Sequence, residues 1–120
     1  MDKNIESRTI ENAFIVAFKE ISNGVHEDTK EKGWYDDKRT DGDIIALMHS
    51  ELSEALEAIR HGNPPDDKIP AFSGLEAELA DVIIRIMDTA AHKQLRIGEA
   101  IIEKIRFNRT RPYRHGGKKL

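Results

Sequence analysis

The sequence predicts an all-α protein built as a four-helix bundle, and three observations predict it. Apolar residues recur at three- and four-residue steps in four separate stretches. No segment shows the strict alternation that a half-buried strand requires, and there is no internal repeat or low-complexity block. The segments between the stretches are short, roughly 3–12 residues, which lets successive helices pack antiparallel.

The first helix is expected from about residue 4 to 30, where Ile10, Phe14, Ala17, Phe18, Ile21 and Val25 form one stripe. The stretch Lys32 to Gly42 breaks that pattern with two glycines and polar residues, and reads as a loop. Asp43 is expected to cap the second helix, whose stripe is Ile44, Leu47, Met48, Leu52, Leu56 and Ile59. His61-Gly62-Asn63-Pro64-Pro65 stops it. Ser73 and Glu76 fit a capping box, in which the hydroxyl takes the N3 amide and the carboxylate reaches back. Leu75, Leu79, Val82, Ile83, Ile86, Met87 and Ala90 then carry a third helix to about Leu95. Ile101, Ile102 and Ile105 mark a fourth, about Gly98 to Arg109, before Pro112 and Gly116-Gly117 release the chain.

A length of 120 residues suits one domain, expected over residues 1–111 with a basic tail over 112–120. The net charge of −3 hides a split. From Lys104 onward there are seven Lys or Arg and no acid, so the first 103 residues carry a charge of −10. Cysteine is absent, which excludes disulfides, thiolate zinc sites and a cysteine nucleophile. No apolar run is long enough to span a membrane, and MDKNIESRT has no apolar signal region, so a cytoplasmic protein is expected. With 34% charged and 38% hydrophobic residues, the core is thin enough to expect a second subunit to complete it.

The informative pattern is Glu51-x-x-Glu54 on the second helix and Glu78-x-x-Asp81 on the third. Three residues advance a helix by about 300°, so each pair projects from one face, one turn apart. Both pairs are interleaved with apolar residues and flank the buried stripe, so antiparallel packing can bring four carboxylates together. Such acids raise one another's pKa unless a cation joins them. An all-oxygen set suits Mg²⁺, or Mn²⁺ as a substitute, better than Zn²⁺. The plainer alternative is two pairs of solvated helix-surface acids, the ordinary fate of a single Glu-x-x-Glu. Di-iron chemistry is disfavoured, because no histidine stands three residues after a Glu.

At the basic end, Lys104, Asn108 and Arg111 share a face if the last helix reaches that far. Ammonium and guanidinium groups suit phosphate oxygens. The alternative is a solvated basic tail. Nucleic-acid binding is disfavoured, since one basic tail on an acidic body lacks a broad basic face. A carboxylate-bound cation together with basic side chains is what a polyphosphate substrate needs. Trp34, the only Trp, can stack a nucleobase or cap the core under its loop.

Glu51-x-x-Glu54, a gap of 23 residues, Glu78-x-x-Asp81, then Lys104-x-x-x-Asn108-x-x-Arg111 resembles the MazG-like branch of the all-α NTP pyrophosphohydrolases. That superfamily also includes dimeric dUTPases and phosphoribosyl-ATP pyrophosphohydrolase. Lys32-Gly33-Trp34, His49 to Glu57 and Arg111 to Lys118 look like its small single-domain members, and the resemblance covers about residues 30 to 118. It implies a MazG fold completed by oligomerisation, as a homodimer or homotetramer. It also implies Mg²⁺-dependent hydrolysis of a nucleoside triphosphate, NTP or dNTP, to the monophosphate and pyrophosphate. By that analogy Glu51, Glu54, Glu78 and Asp81 are metal ligands, with Glu51 and Glu54 catalytic, and Lys104, Asn108 and Arg111 hold phosphates. One departure stands out: many relatives carry a further Glu where Ser50 stands here. That leaves open a non-catalytic or regulatory nucleotide-binding protein, besides a dUTPase-type or phosphoribosyl-ATP-type relative.

Overall fold

The computed structural model describes residues 3–113, and the tail cations Arg114, Lys118 and Lys119 lie outside them. The described chain is all-α, with four helices: α1 (Lys3–Glu31), α2 (Asp41–Arg60), α3 (Gly74–Lys93) and α4 (Ile97–Arg109). No helix among the described residues is long and apolar enough to cross a membrane.

Helix starts follow from capping chemistry. At α3, Ser73 Oγ accepts from the Glu76 amide and Glu76 Oε1 accepts from the Ser73 amide, the expected box. At α2 the cap is Thr40 rather than Asp43: Thr40 Oγ1 accepts from Asp43 N at 3.1 Å and Asp43 returns a carboxylate to Thr40 N at 3.0 Å. Asp43 is thus the N3 residue of a capping box, so the helix begins three residues earlier than expected.

The ends of α1, α2 and α3 are closed by one recurring device. Gly33 N donates to Lys30 O and Trp34 N to Thr29 O, a Schellman motif with Gly33 at φ +83°. The same pair of bonds recurs at Gly62 and Asn63, and again at Gln94 and Leu95, where Gln94 takes the left-handed conformation at φ +56°. A side chain at Gly33 would also bring its Cβ to 2.9 Å from Asp36 Oδ2. That glycine fixes the direction in which Trp34 leaves α1.

The chain forms two compact units. The first comprises residues 1–20 and 96–120, the ends of the chain. Within it Gly98 of α4 lies against Phe18 of α1, where an added Cβ would sit 3.4 Å from the Phe18 Cβ. Arg106 binds Glu11 at 2.9 Å and Glu103 at 3.1 Å.

The second unit, residues 21–95, is organised by the hairpin of α2 and α3, the extensively packed helix pair among the described residues. Ala58 faces Gly74, Glu51 meets Arg85 and Asp41 meets Lys93, so the two helices run antiparallel. Gly74 allows the approach at the closed end: its missing Cβ would lie 3.0 Å from that of Ala58. The connection is itself ordered by hydrogen bonds. Asn63 Oδ1 accepts from Leu75 N, Pro64 O from Gly74 N, and Asp66 Oδ2 from the amides of Lys68 and Ile69.

The interior is thin. Among the described residues Phe18, Ile44, Ala55, Ala77 and Ala90 are the buried apolar ones, while Ile10, Val16, Ile21, Leu52, Leu56, Ile59 and Ile83 are among many left exposed.

Candidate metal centre

The antiparallel register of α2 and α3 brings acids from both helices to one place. Glu51, Glu78 and Asp81 each offer a carboxylate oxygen, and these atoms all lie within 4.8 Å of one another. Glu51 and Glu78 are half-buried and Asp81 is exposed. Glu54 stands outside this group and is exposed, although its spacing from Glu51 is the same as that of Asp81 from Glu78. Its charge still reaches Glu78.

The electrostatics are those of acids held together without enough counter-charge. Burial, hydrogen bonding to Glu51 and the charges of Glu51, Asp81 and Glu54 push Glu78 from 4.5 up to about 7. Asp81 is also raised, by burial and then by Glu51, against the opposing pull of Arg85 and Lys68. Near neutrality the cluster therefore keeps a proton where three carboxylates meet. A hard divalent cation can take over that role: the donors are all oxygens, there are three of them, and one side is open for water. No His or Cys belongs to the group, as a zinc site would favour.

Beside the acids is a cleft of about 520 Å³, lined by Trp34, Tyr35, Arg39 and Lys68 and bordered by Glu51, Asp81 and Arg85. Trp34 is 41% exposed and is not a core cap. The Arg39 and Arg85 guanidinium carbons lie over its ring, 4.9 and 5.5 Å from the centroid. Arg85 also grips Glu51: its Nε and Nη2 both lie 2.8 Å from Glu51 Oε1.

Sequence reasoning missed Arg39, Lys68 and Arg85. Arg85 stands four residues after Asp81, a spacing that puts it on the same helix face, but its partner Glu51 is on another helix. Also missed was a cluster around Asp88. Asp88 Oδ1 lies 2.8 Å from His26 Nδ1 and accepts from Thr29 Oγ1 at 2.8 Å. Burial and a hydrogen bond to Asp88 push the Tyr35 phenol above its ordinary range, so Tyr35 remains a donor. Rings of Tyr35, His26 and His92 pack together, with centroids 4.3 to 5.2 Å apart.

The basic residues belong to the other unit. Lys104 and Asn108 are exposed on α4, but the helix ends at Arg109, and Arg111 lies two residues beyond it. The three therefore do not form one helical row. Lys104 and Arg111 both lie near the Phe107 ring, 5.6 and 5.9 Å from its centroid. Ser50 is exposed and donates its hydroxyl to Leu47 O. Glu57 is likewise exposed and is paired with Arg60.

Comparison with protein-family profiles, curated proteins and solved structures finds no match to this chain.

Proposed function

We propose that this protein hydrolyses a nucleoside triphosphate, NTP or dNTP, to the monophosphate and pyrophosphate with the help of Mg²⁺. The observation that carries the proposal is the meeting of Glu51, Glu78 and Asp81 within 4.8 Å, beside a cleft lined by Trp34 and Tyr35 and by the cations Lys32, Arg39, Lys68 and Arg85. Acids alone are common on helices. Acids that keep a proton near neutrality, next to Trp34, Arg39, Lys68 and Arg85, suit a ligand with both polyphosphate charge and a flat base.

Glu51, Glu78 and Asp81 would hold the cation, with Glu54 adjoining them. Bound Mg²⁺ supplies neutralisation of phosphate charge and a more acidic water. The chain's own residues do the rest. Glu54, exposed beside the cluster, accepts a proton from the water that attacks the α-phosphorus. The bond from that phosphorus to the bridging oxygen breaks, and pyrophosphate leaves. Arg39 and Lys68 hold phosphate oxygens within the cleft. A phosphate-binding role for Lys104, Asn108 and Arg111 rests on the sequence motif alone. A nucleotide substrate accords with a cytoplasmic location.

The exposed apolar side chains and a buried core made mostly of alanines support assembly as a homodimer or homotetramer. Sedimentation at micromolar concentration reads the assembly directly, and a monomer there would refute it.

The test of activity is a panel of NTPs and dNTPs with Mg²⁺ or Mn²⁺, followed by release of pyrophosphate. Turnover of at least one is expected, and inactivity on all of them would reject hydrolysis of these substrates. The Ser50 hydroxyl, donated to the Leu47 carbonyl, offers no carboxylate at a position where the resembled family carries one, which favours a second reading as a non-catalytic nucleotide binder. Saturable nucleotide binding without pyrophosphate release would select that second function.

A further inference from the structure

Arg85 does for Glu51 what a bound cation would do. Its Nε donates to Glu51 Oε1 at 2.8 Å, and its Nη2 is ion-paired with the same oxygen at 2.8 Å. The pair is sheltered, the Glu51 side chain being 13% exposed and that of Arg85 27%. The same guanidinium lies over Trp34 and lines the cleft with Arg39 and Lys68. It therefore touches a carboxylate of the acidic cluster on one side and the space for an anionic ligand on the other.

We infer that Arg85 is an exchangeable counter-ion: it neutralises Glu51 in the ion-free protein, yields that carboxylate to a divalent cation, and then pairs with a phosphate in the cleft. The inference rests on the proposed metal centre and adds to it a residue that couples metal to substrate. Two cations drawn to one carboxylate repel each other, so Arg85 competes with the metal for Glu51. Once displaced, a sheltered guanidinium needs a new anion. Asp81 is the other acid of the cluster close enough to feel its charge, and it is a metal ligand as well. An incoming phosphate oxygen fills the need. Metal and polyphosphate then favour each other's binding, as linkage requires.

The experiment titrates Mn²⁺ into the full chain, with free Mn²⁺ read by its paramagnetic resonance, in the absence and presence of inorganic pyrophosphate. In the unaltered protein, pyrophosphate should tighten Mn²⁺ by roughly 5-fold or more, within the usual range of coupling between sites. Arg85→Gln should bind Mn²⁺ alone more tightly and lose most of the gain from pyrophosphate. Arg85→Lys keeps the charge without the two-pronged grip, and should fall between. Emission from Trp34, the sole Trp, supplies a second readout: Mg²⁺ should change it in the unaltered protein and not in Arg85→Gln. If the unaltered chain binds Mn²⁺ and neither variant binds it more tightly, Arg85 is only a structural partner and the metal centre stands. If the unaltered chain binds no Mn²⁺, the metal centre fails and the inference fails with it.

Discussion

Two groups of polar side chains on α3, seven residues apart, solve the problem of a sheltered carboxylate in opposite ways. Asp88 is met by donors: His26, Thr29 and Tyr35 all turn toward it from α1 and the loop that follows. Asp81 is met by acids: Glu51 and Glu78 come within 4.8 Å of it, with Arg85 and Lys68 as the cations that offset them. The first arrangement is complete as it stands, and its work is to fasten the Tyr35 loop to α1 and α3. The second is left short of positive charge, and its acids respond by holding a proton. A carboxylate surrounded by donors stays charged within the fold, whereas carboxylates surrounded by one another are pushed toward protonation.

Substitution at Glu78 tests that contrast most severely. Glu78→Gln keeps the shape of the protonated acid but cannot ionise, so the ion-free protein should melt at or above the temperature of the unaltered chain. Its Mn²⁺ affinity should fall by more than the ~10–100-fold lost when even an outer partner of a metal ligand is removed. Stabilisation by Mg²⁺ in thermal melts should vanish with it. Undiminished stabilisation would show that the acids are not ligands.

The converse substitution, Asp88→Ala, should have no special bearing on metal. It leaves Thr29, Tyr35 and His26 without their shared acceptor, at a cost of about 1–3 kcal/mol. Denaturant unfolding should report that loss equally with and without Mg²⁺. A loss seen only with the cation present would merge the two groups into one site.

The smallest effect is a slope against pH. Glu78 is raised on folding, so between pH 4.5 and about 7 the folded chain holds a proton that the unfolded chain has released. The resulting stabilisation is full below 4.5 and is lost as pH rises through about 7. Mg²⁺ competes with that proton, so the rise in melting temperature it produces should grow across the same window. Melts of the unaltered chain and Glu78→Gln at matched pH isolate this part, and an equal slope in both would assign it to other groups.

Legibility followed the range of the interactions. The Ser73–Glu76 box spans four residues and is readable from them alone; so is Thr40-x-x-Asp43, in which Thr40 is the cap and Asp43 its N3 partner. The pairing of Glu51 with Glu78 and Asp81 was legible because two equal spacings lay on flanks of apolar stripes. The exclusion of Glu54 from the cluster was not, since it depends on how the two helices are rotated about their axes. The Trp34 ring has Arg39 five residues away and Arg85 much farther off, and no local pattern joins them. Asp88 gave no signal either: His26 and Thr29 reach it across about 60 residues.

By itself, then, the sequence determined the four helices, their stops and the two pairs of acids, because periodicity, caps and turn residues act within a few positions of the chain. Tertiary structure decided which acids meet and which cation restrains them. It also decided that Arg111 stands beyond the end of α4, where the last turn closes at Thr110. Those outcomes depend on the register and rotation of packed helices. A shift of one residue there turns a side chain by about 100° while leaving the sequence pattern unchanged.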